Sequence, residues 1–262
     1  MCLEKYENPI SLRRIKIVVK DMLSKSGYEV HSIKPFTSQT PSIKHSPVYP
    51  YATYSPWLTD EDFGRTYEAV RFNTMVDKYR CFELWELVGE VAKLPEGDLI
   101  EVGVWRGGSG CLIAKRCQLA AIPATVYLCD NFEGLVKASE FDTSWVDGDL
   151  ADASESLISN LTRRLNLGNV QICKGVFPDE TGRLVEGKKF RFCHIDVGVY
   201  QSAKDIFDWI WGRVVLGGLV IFDEYGFRDG EGITRLVEDQ RGNSDRLTIH
   251  NLNGHAVVIK IK

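Results

Sequence analysis

The chain has 262 residues, of which 44% are hydrophobic and 26% are charged, and its formal net charge at pH 7 is −4. This composition is typical of a globular protein, and the length suits one large domain with appendages. An acidic chain without a basic cluster is not expected to bind nucleic acid. No apolar run approaches the ~20 residues that a membrane-spanning helix needs, and the first residues lack a signal-peptide pattern. We therefore expect a cytoplasmic protein without membrane partners, in which Cys129, Cys173 and Cys193 are reduced core residues.

The part of the chain before residue 95 is expected to form an N-terminal extension of helices and a lid. Apolar residues recur at helical spacing in residues 11–25, which predicts a short amphipathic helix. The following segment cannot form a regular element, because it contains five prolines between Pro35 and Pro56. We interpret it as either a linker or an ordered lid, and its aromatic residues favour the lid. Two more helices are predicted between Thr66 and Lys93.

Residues 95–262 show short apolar runs that alternate with helical stretches. The predicted strands read DLIEVGV, ATVYLCD, NVQICKG, FRFCHIDV and LGGLVIFDEY. The predicted helices start at Gly108, Ser154, Ser202 and Gly230. Two final strands flank Asn253-Gly254, a dipeptide typical of hairpin turns. This order predicts an α/β domain with a mostly parallel sheet, helices on both faces and a C-terminal antiparallel hairpin. In such sheets ligands bind at the carboxyl ends of the strands.

A glycine-rich turn, EVGVWRGGSG, follows the first predicted strand. Gly103, Gly107 and Gly108 would let the backbone approach a ligand closely, and Ser109 is expected to cap the helix that follows. The spacing matches neither the dinucleotide-binding fingerprint nor a phosphate-binding loop. A nicotinamide-dependent oxidoreductase is therefore disfavoured.

Acidic residues mark the ends of the first two predicted strands. Glu101 would repel a phosphate but could accept a hydrogen bond from a cationic amino-acid group. Asp130 lies 22 residues after Gly108, where a ribose-binding acid is expected. Both features suit S-adenosylmethionine, which has ribose hydroxyls, an ammonium group and a positive sulfonium. The alternative is a tight turn with acids that face solvent.

Three further carboxylates follow the fourth and fifth predicted strands. Asp196 ends one run, and Asp223 and Glu224 end the other. Converging carboxylates raise each other's pKa unless a cation offsets them, and oxygen ligands without His or Cys suit a hard ion such as Mg²⁺. The alternative is that Asp196 caps a helix while the acidic pair faces solvent.

The ordered motifs EVGVWRGGSG, DNFEG, KGVFPDETG, HIDVGVYQS and FDEYG resemble the landmarks of the macrocin O-methyltransferase (TylF-like) family. The resemblance runs from about Ser55 to Glu238. It implies a Rossmann-like class I methyltransferase fold with a seven-stranded sheet, and a Mg²⁺- and S-adenosylmethionine-dependent enzyme that methylates a hydroxyl of a small natural product, expected on a sugar. It implies metal ligation by Asp196, Asp223 and Glu224. It implies cofactor contacts from Met75, Glu101, Gly103, Gly107, Gly108, Ser109, Asp130, Phe132 and Asp196, and it places Arg80 in a segment that borders the cofactor.

One position departs from the family pattern. The family reads Asp-Val-Asp where this chain reads Asp196-Val197-Gly198, and the second Asp of the family is its proposed general base. Several interpretations stay open: a more acidic acceptor such as a phenol, a wider acceptor pocket, or a cofactor-binding protein with weak or lost catalysis. Another group could also replace the base, and Tyr200, His31 and His45 are candidates. We expect His194 to be a packed strand residue. A homodimer is expected only because dimers are common.

Overall fold

The computed structural model describes residues 52–142 and 144–262, residues 43–48, and positions 19, 22, 23, 25 and 26. Most of the predicted N-terminal amphipathic helix and about half of the proline-rich segment lie outside the described residues, and both stay predictions. The chain divides into two units, residues 1–49 and 50–262. All elements and sites discussed below belong to the second unit.

Within residues 60–95 of the described part, two α-helices precede the sheet, as the sequence predicts. Helix α1 spans Glu61–Val70 and helix α2 spans Lys78–Val91. Each helix starts after an aspartate whose carboxylate accepts backbone N–H hydrogen bonds from the first turn, Asp60 for α1 and Asp77 for α2. Because Asp60 provides this cap, α1 begins before the predicted start at Thr66.

The sheet has seven strands in the order β3-β2-β1-β4-β5-β7-β6. Their bounds are β1 Asp98–Val102, β2 Val126–Asp130, β3 Val170–Lys174, β4 Phe190–Ile195, β5 Val214–Phe222, β6 Arg246–His250 and β7 Ala256–Lys260. The first five strands are parallel, β7 is antiparallel to β5, and β6 is antiparallel to β7. The predicted parallel sheet with its C-terminal hairpin is confirmed.

Four helices connect the strands or follow them: α3 Gly108–Leu119, α4 Glu155–Arg164, α5 Tyr200–Trp211 and α6 Glu231–Glu238. The prediction that Ser109 caps α3 is wrong. The capping position is Gly107, whose φ of 83° lies in the left-handed region, and Ser109 lies buried within the first turn. Helix α5 also starts earlier than predicted, at Tyr200 rather than Ser202.

Two hydrophobic clusters cover the two faces of the sheet. Leu99 on β1 belongs to the cluster that includes Trp85 of α2, and the next residue, Ile100, belongs to the cluster that includes Ile206 of α5. Successive residues of a strand point to opposite faces, so each face of β1 packs against helices. Cys129, Cys173 and Cys193 are buried free thiols, as predicted. In the described part of the chain, none of the helices combines the length and apolarity that crossing a membrane requires.

The strand order reverses between β1 and β4. From β1 the chain proceeds outward to β2 and β3, then returns to the other side of β1 for β4 and β5. Crevices in sheets of this kind open at the carboxyl ends of the strands beside such a reversal. The residues that follow β1, β2, β4 and β5 are therefore placed along one edge of the sheet.

Candidate active site

Two adjoining cavities lie at this edge. The first, here called the β2 cavity, is lined mainly by residues that follow β1, β2 and β3, including Trp105, Asp130, Asn131, Gly175 and Phe177. The second, here called the β5 cavity, is lined by Met75, Arg80, Ser109, Gly198, Asp223, Glu224 and Phe227, among others. Gly103 and Asp196 line both cavities. The two spaces therefore share a wall formed where β1 and β4 end.

Asp130 organises the β2 cavity. Its carboxylate accepts a hydrogen bond from the backbone N–H of Trp105 at 2.8 Å and another from that of Phe132 at 2.7 Å. Burial raises the pKa of Asp130 above its ordinary value, although these N–H groups act to lower it. The carboxylate thus fixes the turns after β1 and β2, and its oxygens keep capacity to accept a ligand hydroxyl.

The shared wall depends on Gly103, whose φ is 88°. A Cβ atom at this position would lie 1.8 Å from the carbonyl oxygen of Asp196, so no side chain fits there. Of the other residues predicted to contact a cofactor, Met75 and Ser109 line the β5 cavity, while Glu101, Gly107, Gly108 and Phe132 line neither cavity. The glycine turn consequently shapes the site largely through its backbone.

Glu101 lies beneath the site rather than on its surface. It is fully buried, and its Oε1 lies 2.7 Å from Nδ1 of His194, which is fully buried as well. The two residues are paired by the register of β1 and β4. Within the described residues, Glu101 Oε2 and His194 Nε2 have no hydrogen-bond partner. The interpretation of His194 as a packed strand residue is confirmed, whereas its pairing with Glu101 was not foreseen.

The three predicted metal carboxylates line the β5 cavity together. Ile195 of β4 pairs with Phe222 of β5, so Asp196 and Asp223 follow adjacent strand ends. Burial and the charges of Asp223 and Glu224 raise the pKa of Asp196 well above its ordinary value. Burial and Asp223 likewise raise the pKa of Glu224 to about 8. Such carboxylates ionise readily only beside a cation, so this donor set fits a divalent ion.

An arginine and a histidine lie next to Asp223. Arg80 of α2 forms a buried ion pair with its Oδ1, and Nε2 of His255 lies 3.5 Å from the same oxygen. Burial alone would raise the pKa of Asp223, but His255 and Arg80 reverse the effect and hold the pKa below its ordinary value. Asp223 is therefore the ionised member of the cluster. No sequence pattern pointed to His255, which lies in the hairpin, far along the chain from the glycine turn.

One group of three potential ligand side chains in the described part of the chain has its ligand atoms within 4.8 Å of one another. It consists of His194, Asp223 and His255, and it does not include Asp196 or Glu224. The three predicted metal carboxylates are thus neighbours in one cavity without forming a closed ligand set.

Gly198 faces the β5 cavity with a φ of 65°. Of the three residues suggested as a replacement base, only Tyr200 lies in the described part of the second unit. Tyr200 begins α5 and packs against Phe141 with ring centroids 4.9 Å apart, and it lines neither cavity. His31 lies outside the described residues, and His45 belongs to the first unit.

Comparisons with known proteins agree with this geometry. The model of the macrocin-O-methyltransferase (TylF) family matches residues 63–256. The 8-demethyl-8-(2,3-dimethoxy-alpha-L-rhamnosyl)-tetracenomycin-C 4'-O-methyltransferase of Streptomyces olivaceus is 33% identical over 198 residues, which are 68% of this chain and 71% of that protein. The mycinamicin III 3''-O-methyltransferase of Micromonospora griseorubida is 27% identical over 200 residues, which are 70% of this chain and 77% of that protein.

Solved structures share the fold. The O-methyltransferase NovP superposes with a TM-score of 0.61 at 22% identity, over 72% of this chain and 83% of that chain. A Bacillus cereus O-methyltransferase in complex with SAH gives a TM-score of 0.52 at 17% identity, over 77% of this chain and 91% of that chain. The fold is that of class I methyltransferases. Since the family match covers most of the described domain, the chain belongs to the macrocin O-methyltransferase (TylF) family of S-adenosylmethionine-dependent O-methyltransferases.

Proposed function

We propose that this protein transfers the methyl group of S-adenosylmethionine to a hydroxyl of a small natural product, on a sugar unit, with the help of Mg²⁺. The observation that carries the proposal is the position of Asp196, which lines the β2 cavity and the β5 cavity at once. A donor in the first cavity and an acceptor in the second would meet at this residue. The activities of the tetracenomycin and mycinamicin relatives, both natural-product O-methyltransferases, support the acceptor class.

The β2 cavity suits the cofactor. Asp130 offers acceptor oxygens for ribose hydroxyls, and the backbone of Gly103 permits a close approach. The indole N–H of Trp105 donates to Asp152 at 2.6 Å, which fixes a large apolar ring at the rim of this cavity. These residues would orient the cofactor and limit access of water to its sulfonium.

The β5 cavity suits the metal and the acceptor. Asp196, Asp223 and Glu224 would hold Mg²⁺, while Arg80 keeps Asp223 ionised and in place. When bound, Mg²⁺ supplies positive charge that favours loss of the proton from the acceptor hydroxyl. The carboxylates of this chain would bind the ion and position the acceptor, and the aromatic ring of Phe227 provides an apolar wall.

Gly198 motivates a second candidate, a protein that binds S-adenosylmethionine but has weak or lost catalysis. A positioned base contributes about 10²–10⁴-fold to a rate, so its loss alone would leave a slow enzyme. The site is open at this position, because Gly198 lines the β5 cavity.

Calorimetric titration with S-adenosylhomocysteine, combined with transfer of labelled methyl groups to methyl α-L-rhamnoside and to catechol, tests the proposal. We expect S-adenosylhomocysteine to bind. Methyl transfer should stop in EDTA and return with Mg²⁺, and Asp196→Asn should lose this response to Mg²⁺. Asp208→Asn, a change to an exposed carboxylate on α5, serves as the control. Binding without transfer to any hydroxylated acceptor would favour the second candidate, and transfer that persists in EDTA would remove the metal from the proposal.

A further inference from the structure

Two buried polar atoms border the space beside Gly198. A Cβ atom at this position would lie 3.2 Å from Oε2 of Glu224 and 3.5 Å from Nε1 of Trp145. Within the described part of the chain, both atoms are buried and neither has a hydrogen-bond partner. Buried polar groups are nearly always satisfied in native proteins, so two such atoms at one point mark a place where a polar atom of a ligand can bind.

The two atoms have complementary roles. The indole N–H of Trp145 can only donate a hydrogen bond, and the carboxyl oxygen Oε2 of Glu224 can accept one. A hydroxyl group satisfies both, because its oxygen accepts and its hydrogen donates. A ligand ammonium could not accept from Trp145, because it has no lone pair. The pair therefore suits a hydroxyl.

The fold holds both groups in place. The loop that carries Trp145 is fixed by Asp142, whose Oδ1 accepts from the backbone N–H of Tyr200 at 2.8 Å and whose Oδ2 accepts from the backbone N–H of Ser139 at 2.9 Å. Glu224 has a φ of 62°, in the left-handed region that few side chains adopt, and its N–H donates to Asp223 at 2.7 Å. Strained backbone of this kind is often retained at functional sites.

We propose that Gly198 opens a hydroxyl subsite in the β5 cavity, where a hydroxyl of the acceptor accepts a hydrogen bond from Trp145 Nε1 and donates one to Glu224 Oε2. This inference rests on the proposed function and specifies how its acceptor is recognised. The absence of a side chain at Gly198 then leaves room for the acceptor hydroxyl. Glu224 supplies the acceptor oxygen that an acidic side chain at position 198 would otherwise supply, and its extra methylene relative to Asp extends its reach.

Two variants separate the subsite from backbone strain. Gly198→Ala places a methyl group between the two atoms, at a position where φ is already positive. Gly148→Ala imposes a comparable strain, since Gly148 has a φ of 91°, but nothing lies within 4 Å of its added Cβ. Trp145→Phe removes the N–H group and keeps an aromatic ring.

The test is a set of crystal structures with S-adenosylhomocysteine, Mg²⁺ and methyl α-L-rhamnoside, for the natural chain and the three variants. We expect a hydroxyl oxygen of the rhamnoside within hydrogen-bonding distance of both Trp145 Nε1 and Glu224 Oε2. This oxygen should persist in Gly148→Ala and be lost in Gly198→Ala and Trp145→Phe. A water molecule at this point in the natural chain, in place of a rhamnoside hydroxyl, would overturn the subsite.

A parallel titration with S-adenosylhomocysteine keeps the two proposals apart. Cofactor affinity should be the same in all four proteins, and the rhamnoside affinity should fall about tenfold in Trp145→Phe, the effect of one hydrogen bond. Direct bonding of Trp145 to Glu224, or an oxygen that stays in Gly198→Ala, would overturn the subsite. Failure of the natural chain to bind S-adenosylhomocysteine would overturn the proposed function instead, and the bridging oxygen would still decide the subsite.

Discussion

Arg80 of α2 and Asp223 at the end of β5 form a buried ion pair across 143 positions of the sequence. The guanidinium also donates to Asp77 at 2.8 Å and stacks over the ring of Phe227 at 4.9 Å. Arg80 thus connects the helical layer to the proposed metal site, and it supplies a fixed positive charge next to three carboxylates.

Replacement of this arginine should be strongly destabilising. Arg80→Met leaves Asp223 buried without its main ion-pair partner, and removal of one member of a buried pair costs about 3–5 kcal/mol. Urea unfolding measures the loss. Arg65→Met is the matched control, because Arg65 forms exposed pairs with Glu61 and Asp62 that contribute little. Equal stability of Arg80→Met and the natural chain would show that the Asp223 pair is not a structural support.

Glu83 should make a pH-dependent contribution to the stability of the protein. Burial raises its pKa, but hydrogen bonds from His255 at 2.7 Å, from Asn253 at 2.6 Å and from Asn251 outweigh burial and lower the pKa below its ordinary value. A lowered pKa means that the stabilisation is complete above the unfolded value of about 4.3 and is lost as pH falls through the folded value.

Glu83→Gln should therefore destabilise the protein by about 1.5–3 kcal/mol near neutral pH, with a difference that shrinks below about pH 4. Urea unfolding across this pH range measures the effect. Glu86→Gln alters an exposed residue of the same helix and should show neither the loss nor its pH dependence. A difference between Glu83→Gln and the natural chain that does not change with pH would argue against an ionised Glu83.

Gly103 should tolerate no side chain. Gly103→Ala places a Cβ 1.8 Å from the carbonyl oxygen of Asp196 and strains a φ of 88°, so we expect a loss of about 3 kcal/mol or more. Thermal unfolding monitored by circular dichroism checks this. Gly212→Ala is the control, because nothing lies within 4 Å of a Cβ there. Normal stability of Gly103→Ala would mean that the ends of β1 and β4 can separate.

Asp130 should contribute to cofactor affinity. Asp130→Asn weakens the bonds to the N–H groups of Trp105 and Phe132 and removes the charge offered to a ribose hydroxyl, so we expect a 10- to 100-fold weaker affinity for S-adenosylhomocysteine, or roughly 1.4–2.8 kcal/mol. Calorimetric titration measures it. Glu133→Gln, in an exposed neighbour of the same turn, should bind normally. Unchanged affinity in Asp130→Asn would place the ribose elsewhere.

Local patterns were sufficient to predict the sheet and to place the candidate acids along one of its edges. The apolar runs before Asp130, Asp196 and Asp223 each end in an acid, and parallel strands bring such ends to one edge. The hairpin around Asn253-Gly254 followed from turn chemistry in the same way. These features depend on residues that are close in sequence.

The rest of the site depends on contacts between distant segments. Arg80 and His255 converge on Asp223, and Trp145 lies beside Gly198, only in the folded chain. Glu101 was predicted to face a cofactor because it ends a strand, but the register of β1 and β4 pairs it with His194 below the surface. No periodic pattern or motif encodes such pairings.

The hydrogen bond between Glu83 and the hairpin has a consequence for folding during translation. Glu83 bonds to His255, 172 positions later, and the same histidine contacts Asp223. The order of synthesis places α2 and the first five strands ahead of the hairpin. During translation the acidic edge can thus exist for some time without His255, and the proposed metal site matures only after β7 has emerged and paired with β5.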